Sequence, residues 1–210
     1  QRYLDCLRAG EQLQIEESLL TDEIHREILP LPFVSLFLDD CVARGLDCTN
    51  GGAVYNTTGL VAVGTATVAD SLYAIKRLVY DEKKLTLGEL TEILRNNFEG
   101  QEYLRQFILN RFEKFGNDQD CVDRLAVGIT DAFADELEKH HNSRGGAFWG
   151  ALYSVSAQVG LGNVCCATPD GRLDGLPLSD GLTPMYGMDR NGPTAVLASL
   201  SKIHQKRFPN

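Results

Sequence analysis

Thr168-Pro-Asp-Gly-Arg172 is followed in close succession by Pro177-Leu-Ser-Asp-Gly181, Pro184-Met-Tyr-Gly-Met-Asp189 and Asn191-Gly-Pro-Thr194. From Gly160 to Pro193 the chain carries seven Gly and four Pro and shows no apolar periodicity, so no long helix or strand fits there. Loops of this length in compact domains are functional or disordered. Leu, Met, Tyr and Val are interspersed with the turn residues and give the segment apolar anchors that a solvated linker lacks, which predicts a packed functional loop.

Outward from that loop the pattern is mostly helical. Ile15, Leu19, Leu20, Ile24 and Ile28 recur at helical spacing and predict a long first helix that Pro30 ends. Pro32 suits the first turn of the next helix, carried by Phe33, Leu36, Phe37 and Val42 to Gly45, and residues 46–64 read as irregular. Thr67 with Asp70 has the spacing of a helix cap ahead of the stripe Val68, Leu72, Ile75 and Val79, and Thr86 with Glu89 repeats it before Leu87, Leu90, Ile93 and Leu94. Leu104, Phe107, Ile108 and Phe112 predict another helix. Val122, Leu125, Ala126, Ile129, Phe133 and Leu137 follow the 3.6-residue period closely. The two-residue alternation of Tyr153, Val155, Ala157 and Val159 with Ser154, Ser156 and Gln158 predicts a strand leading into the loop, and Gly192-Pro193-Thr194 opens a last helix through Val196, Leu197, Leu200 and Ile203. One strand among many helices is an odd balance for a free-standing α/β domain, because a buried strand needs neighbours. Its sheet partners are expected outside these 210 residues, and a start at Gln1 and a stop at Asn210 fit an interior fragment.

The totals narrow the function. A net charge of −9 argues against phosphate-backbone binding, which needs clustered Lys and Arg, so nucleic acid is not expected as a partner. No apolar run approaches the roughly 20 residues of a bilayer span, and no signal-peptide pattern occurs, so a cytoplasmic setting without membrane contact is expected. Cys6, Cys41, Cys48, Cys121, Cys165 and Cys166 have no framework spacing and read as reduced thiols. Cys165-Cys166 has no adjacent cation to stabilise a thiolate, and His140-His141 point about 100° apart on a helix and suit its C-terminus better than a metal, so no metal site is expected. Gly64-Thr65 lacks the lysine of a phosphate loop.

Three groups remain as candidates. Gly51-Gly-Ala-Val-Tyr-Asn56 reads as backbone passing close to another segment, with Gly51 and Gly52 permitting the approach and Tyr55 and Asn56 bonding across it. In Asp170-Gly171-Arg172, Asp170 closes its own turn, Gly171 takes the left-handed torsion and Arg172 pairs with a nearby carboxylate. Met185-Tyr186, flanked by Pro184 and Gly187, suits a pocket wall that needs one hydroxyl, and core packing suits it equally.

In their order and spacing these blocks resemble the glycyl radical enzymes. The resemblance runs through Pro30-Leu-Pro-Phe33, Asp39-Asp-Cys41, Gly51-Gly-Ala-Val-Tyr-Asn56, Val68-Ala-Asp-Ser-Leu72, Lys114-Phe-Gly-Asn-Asp118, Thr168-Pro-Asp-Gly-Arg172 and Asn191-Gly-Pro-Thr194, and is closer to the glycerol and diol dehydratase branch than to pyruvate formate-lyase. It implies an α/β fold: the mostly helical part of a ten-stranded α/β barrel, incomplete in this chain, with residues 1–210 an interior segment of a pyruvate formate-lyase-like domain lacking both the cysteine finger and the C-terminal glycyl radical domain.

The chemistry so implied is that of a lyase or dehydratase of anaerobic metabolism. A backbone glycyl radical, installed by an iron–sulfur activating enzyme that consumes S-adenosylmethionine, passes to a cysteine. The thiyl then abstracts hydrogen from a small polar substrate, which loses a group through C–O, C–N or C–C cleavage. None of the six cysteines follows a glycine, and no Arg-Val-x-Gly pattern occurs, so the catalytic residues are expected outside this chain and the segment is expected to bind no cofactor and to be inactive alone. Partners so implied are the activating enzyme and the small substrate, with a homodimer admitted for the parent. Formate C-acetyltransferase and a non-catalytic interaction protein that kept the helical shell stand as alternatives. Tyr186, with Met185, is the expected substrate-pocket residue, its phenol holding a hydroxyl or carboxylate.

Overall fold

The computed structural model describes residues 2–209. In chain order the elements are α1 (Arg2–Ile28), α2 (Pro32–Ser35), α3 (Cys41–Arg44), β1 (Thr58–Val61), α4 (Thr65–Ile75), α5 (Leu87–Arg95), α6 (Glu102–Arg111), α7 (Asp120–Leu137), β2 (Phe148–Ala151), α8 (Ala157–Asn163) and α9 (Pro193–Ser201). The strands β1 and β2 form a two-stranded sheet. The chain divides into two compact units, one built from residues up to Leu60, Asp131–Ala151 and residues from Lys206, the other from Val61–Thr130 and Leu152–Gln205.

In the first unit, α1 buries only Glu11, Ile15 and Asp22, so the predicted apolar stripe is largely bare: Leu20, Ile24 and Ile28 stay exposed. Asp22 is held by an ion pair with Arg144 and by the Ser143 hydroxyl, so a charged pair anchors the helix where the pattern predicts leucines. The single helix expected from Pro32 to Gly45 is two short ones. The Ser35 hydroxyl lies within hydrogen-bond distance of the Leu31 carbonyl (2.9 Å) and of Asp47 (2.8 Å), and the backbone reverses at Asp40, whose φ is +72°. Asp47 also accepts from the backbone N–H groups of Leu31 and Thr49 and from the Thr49 hydroxyl. Burial opposes ionisation of Asp47, but these donors outweigh it and hold the carboxyl far below the usual range. Residues 46–64, expected to be irregular, contain β1. Asn142 secures this region by donating to the Thr58 hydroxyl (3.0 Å) and to the Asn56 carbonyl.

In the second unit the helical pattern reads out well. Val122, Ala126 and Ile129 are buried along α7, whose continuation in the first unit buries Phe133 and Leu137. The capping box at Thr86 is formed: its hydroxyl accepts from Glu89 N–H (3.2 Å), and the Glu89 carboxylate accepts from Thr86 N–H (2.7 Å). Thr67 is not a cap. Helix α4 starts two residues earlier, behind Gly64, and buries Ala66, Ala69, Asp70, Tyr73 and Ala74, while Val68, Leu72 and Ile75 of the predicted stripe are half-buried. Helix α9 begins on Pro193 as expected and buries Ser199, whose hydroxyl accepts from Asp118 N–H (2.9 Å) and donates to Asp123 (3.0 Å).

The strand expected over residues 151–159 is absent. The structure ends β2 at Ala151 and begins α8 at Ala157 through a turn in which Val155 and Ser156 have φ of +46° and +66°. The alternation is real but inverted. Ser154 and Gln158 are buried and Tyr153, Val155 and Val159 are exposed, because the Ser154 hydroxyl bonds Gln158 (2.5 Å) and the Asp180 carboxylate. A polar pair four residues apart suits a helical turn, and its satisfaction outweighs the two-residue apolar pattern.

Replacing Thr86 by Ala removes both arms of the capping box and should lower unfolding stability by about 1 kcal/mol in chemical denaturation. A loss no larger than that of a surface control would show that α5 does not depend on its cap.

Candidate functional site

The Gly/Pro-rich loop packs within the second unit around one side chain. Arg172 is 3 % exposed, and its guanidinium donates to the Thr168 hydroxyl (3.1 Å) and to the carbonyls of Leu173 (3.1 Å), Leu176 (2.5 Å), Cys165 (3.0 Å) and Cys166. All five N–H bonds of an arginine are engaged in that set. The carboxylate partner expected for Arg172 is not there: backbone carbonyls take its place, because a winding loop without a ladder presents acceptors that need donors. Asp170 does close its own turn, accepting from Arg172 N–H (3.3 Å) and the Thr168 hydroxyl (2.5 Å). Gly171 has φ of +99°, and a Cβ there would meet Leu109 at 2.9 Å, so both torsion and space demand glycine.

Three further segments of the same unit brace the loop. Thr67 and Ser179 exchange hydrogen bonds, Thr67 N–H to the Ser179 hydroxyl (3.1 Å) and Ser179 N–H to the Thr67 hydroxyl (2.9 Å), and that hydroxyl also donates to Met185 Sδ (3.0 Å). Arg105 on α6 donates from Nε to the Gly171 carbonyl (2.9 Å). Asn117 donates to the carbonyls of Lys114 (3.1 Å) and Met188 (2.7 Å) and accepts from Asn191 N–H (2.9 Å).

These braces leave a cavity of about 380 Å³ lined by Asp70, Lys114, Asp170, Arg172, Met185 and Tyr186 among others, with Leu109, Leu176 and Met188 supplying apolar wall. Its lining includes buried polar groups. Asp70, 1 % exposed, accepts from Phe115 N–H on one oxygen (2.8 Å), while its other oxygen has no partner among the described residues. Burial pushes its carboxyl up to about 8, against the pull of Lys114 and the Phe115 N–H, with Asp170 and Asp123 adding to the rise. Lys114, also 3 % exposed, donates to the Asp170 carbonyl (2.9 Å). A second, more open cavity of about 600 Å³ shares Met185 and Tyr186 and is bounded by Asp180, Asp189 and Pro193.

The structure thus brings Asp170, Gly171, Arg172, Met185 and Tyr186 to one cavity. Tyr186 lines it and is 70 % exposed. Gly51, Gly52, Tyr55 and Asn56 belong to the other unit. There the close approach is real: a Cβ on Gly52 would lie 2.1 Å from the Leu46 carbonyl. Asn56 donates to the Arg144 carbonyl (3.4 Å), whereas Tyr55 is 86 % exposed, so the cross-contact bond expected of Tyr55 is not among those the structure shows. Asp70, Lys114 and Arg105 were not anticipated as cavity residues. The available signal was Asp70 itself, an acid in the middle of an apolar helix.

A family model for Pyruvate formate lyase-like proteins matches residues 2–162, and one for Glycine radical proteins matches residues 178–210. The chain belongs to the glycyl radical enzyme family. It is 36 % identical over 191 residues to trans-4-hydroxy-L-proline dehydratase of Clostridioides difficile, covering 91 % of this chain and 24 % of that protein. It is 38 % identical over 196 residues to (2S)-3-sulfopropanediol dehydratase of Klebsiella oxytoca, with shares of 91 % and 24 %. A solved structure described as 1,2-propanediol dehydration in Roseburia inulinivorans matches with a TM-score of 0.93 at 41 % identity, covering 97 % of this chain and 26 % of the other. The chain spans about a quarter of the length of these relatives. It carries their fold as a mostly helical part of the α/β barrel, incomplete here. The Glycine radical match extends over α9 and the end of the loop. No helix among the described residues is long and apolar enough to cross a membrane.

A carboxyl whose folded pKa lies above its unfolded value is protonated more readily in the folded state, so the fold loses stability as pH rises from the unfolded pKa towards the folded one. For Asp70 that window runs from the ordinary carboxylate range up to about 8. Asp70→Asn keeps the acceptor for Phe115 N–H, and denaturation midpoints across this range should decline less steeply than those of the unaltered protein. Parallel profiles would show that Asp70 does not change protonation on folding.

Proposed function

We propose that this chain is part of a glycyl radical lyase or dehydratase that cleaves a C–O, C–N or C–C bond of a small polar substrate, with Met185 and Tyr186 lining the substrate cavity. The observation that carries the reading is family membership joined to the cavity: the relatives' names include those of dehydratases and of a sulfite-lyase, and the loop that opens the Glycine radical match is the one that lines the cavity. The thiyl cysteine and the radical glycine belong to other segments of the parent, since no cysteine here follows a glycine and no Arg-Val-x-Gly pattern occurs. The residues of this chain therefore bind and enclose. Arg172 and Asn117 fix the loop, Met185 is held by Thr67, and the Tyr186 phenol offers one donor to a substrate hydroxyl or carboxylate. Enclosure matters to radical chemistry because it keeps solvent from the reactive intermediate. The radical is installed by a separate activating enzyme that uses S-adenosylmethionine and an iron–sulfur cluster, and the parent works in the cytoplasm.

Anaerobic activation of the full-length protein should give a glycyl doublet in electron paramagnetic resonance, and a silent spectrum would remove the radical reading. In the same protein Tyr186→Phe should lower turnover roughly tenfold or more with the doublet intact. Unchanged kinetics would take Tyr186 out of the site.

A further inference from the structure

Helix α1 is fastened to its unit by a face that carries two acids. Its buried residues are Glu11, Ile15 and Asp22, and the half-buried Tyr3 and Leu7 continue the same helical spacing. The two acids are answered differently. Asp22 has Arg144 and the Ser143 hydroxyl, whereas Glu11, 3 % exposed, has no hydrogen-bond partner on either carboxylate oxygen among the described residues.

The groups that face Glu11 do not balance its charge. They are Tyr3 and Arg8 on its own helix, Glu136 near the end of α7, and Lys139 just beyond it. Both cations are already engaged: Lys139 bonds Glu136 (2.7 Å), and Arg8 lies 3.9 Å from Glu136 and 3.7 Å from Asp5. Lys139, with His140 at 3.5 Å, holds Glu136 below the usual carboxylate range. Glu136 therefore stays ionised and repels a second carboxylate. A buried charge without a partner is costly, and a carboxyl so placed docks at least cost when it carries its proton. Burial, with Glu136 adding to it, pushes Glu11 up to about 7 against the pull of Arg8 and Lys139.

We propose that Glu11 is a pH-sensitive latch for α1: with its proton it seats the N-terminal half of the helix against the end of α7, and without it that half lifts while the Asp22–Arg144 pair holds the other. Ile15 alone supplies fully buried apolar contact along α1, so one acid is enough to tip the balance. Docking is at full strength below the ordinary carboxylate range, weakens as pH rises through it to about 7, and levels off above. The device uses no residue of the cavity and no radical, so it stands independently of the function proposed above.

Hydrogen exchange of the full-length, unactivated protein, read by mass spectrometry on peptides from residues 2–28 and corrected for intrinsic exchange rates, tests it. Protection should fall about tenfold or more between pH 5.5 and 8. Glu11→Gln, uncharged throughout, should keep its protection across this range. Glu136→Gln, which removes the repulsion, should narrow the fall, and it decides alone should Glu11→Gln not fold. Protection independent of pH in the unaltered protein, or a fall of the same size in either variant, would overturn the latch.

Discussion

The buried guanidinium of Arg172 is the constraint on which the second unit depends. A segment without helix or ladder must find donors for its carbonyls, and one side chain gathers those of Cys165, Cys166, Leu173 and Leu176. With those oxygens satisfied the loop can be buried, and once buried it forms a wall. Removing the guanidinium would leave several interior carbonyls without partners at once, which is why a charge that costs desolvation energy is tolerated here.

The wall is useful because other elements hold it at fixed points. Helix α4 grips it through Thr67 and Ser179, α6 through Arg105 and Gly171, and the turn before α7 through Asn117, Met188 and Asn191. At Gly116 a Cβ would lie 2.1 Å from Pro184, so the turn and the loop touch backbone to ring. Each grip is a polar bond between distant parts of the sequence, and together they leave an apolar chamber with an acid and an ammonium in its lining. Positioned polar groups in an apolar setting are what small-molecule recognition requires.

Much of this was legible in the residues. The stripe of α7, the capping box at Thr86, the proline start of α9 and the turn chemistry of Asp170-Gly171 are local, and local rules predicted them. Where prediction failed, a distant polar partner had changed the answer. Ser154 and Gln158 turned inward because Asp180 and their own pairing satisfied them, and the helix after Pro32 broke because Asp47 drew Ser35 and the backbone of Leu31 to itself. Arg172 was expected to seek a carboxylate, since nothing in a string of residues reveals how many carbonyls will surround a side chain.

The sequence by itself determined the family and the helical register, because both rest on spacings within short windows: turn residues at fixed offsets and apolar positions every three to four residues. Tertiary structure alone decided that Asp70, Lys114 and Arg172 share one chamber and that an acid in the middle of a helix faces it. The physical reason is burial. Whether a carboxyl is ordinary or raised to about 8, and whether an ammonium is solvated or held beneath a loop, depends on what chain segments far apart in sequence exclude from around it.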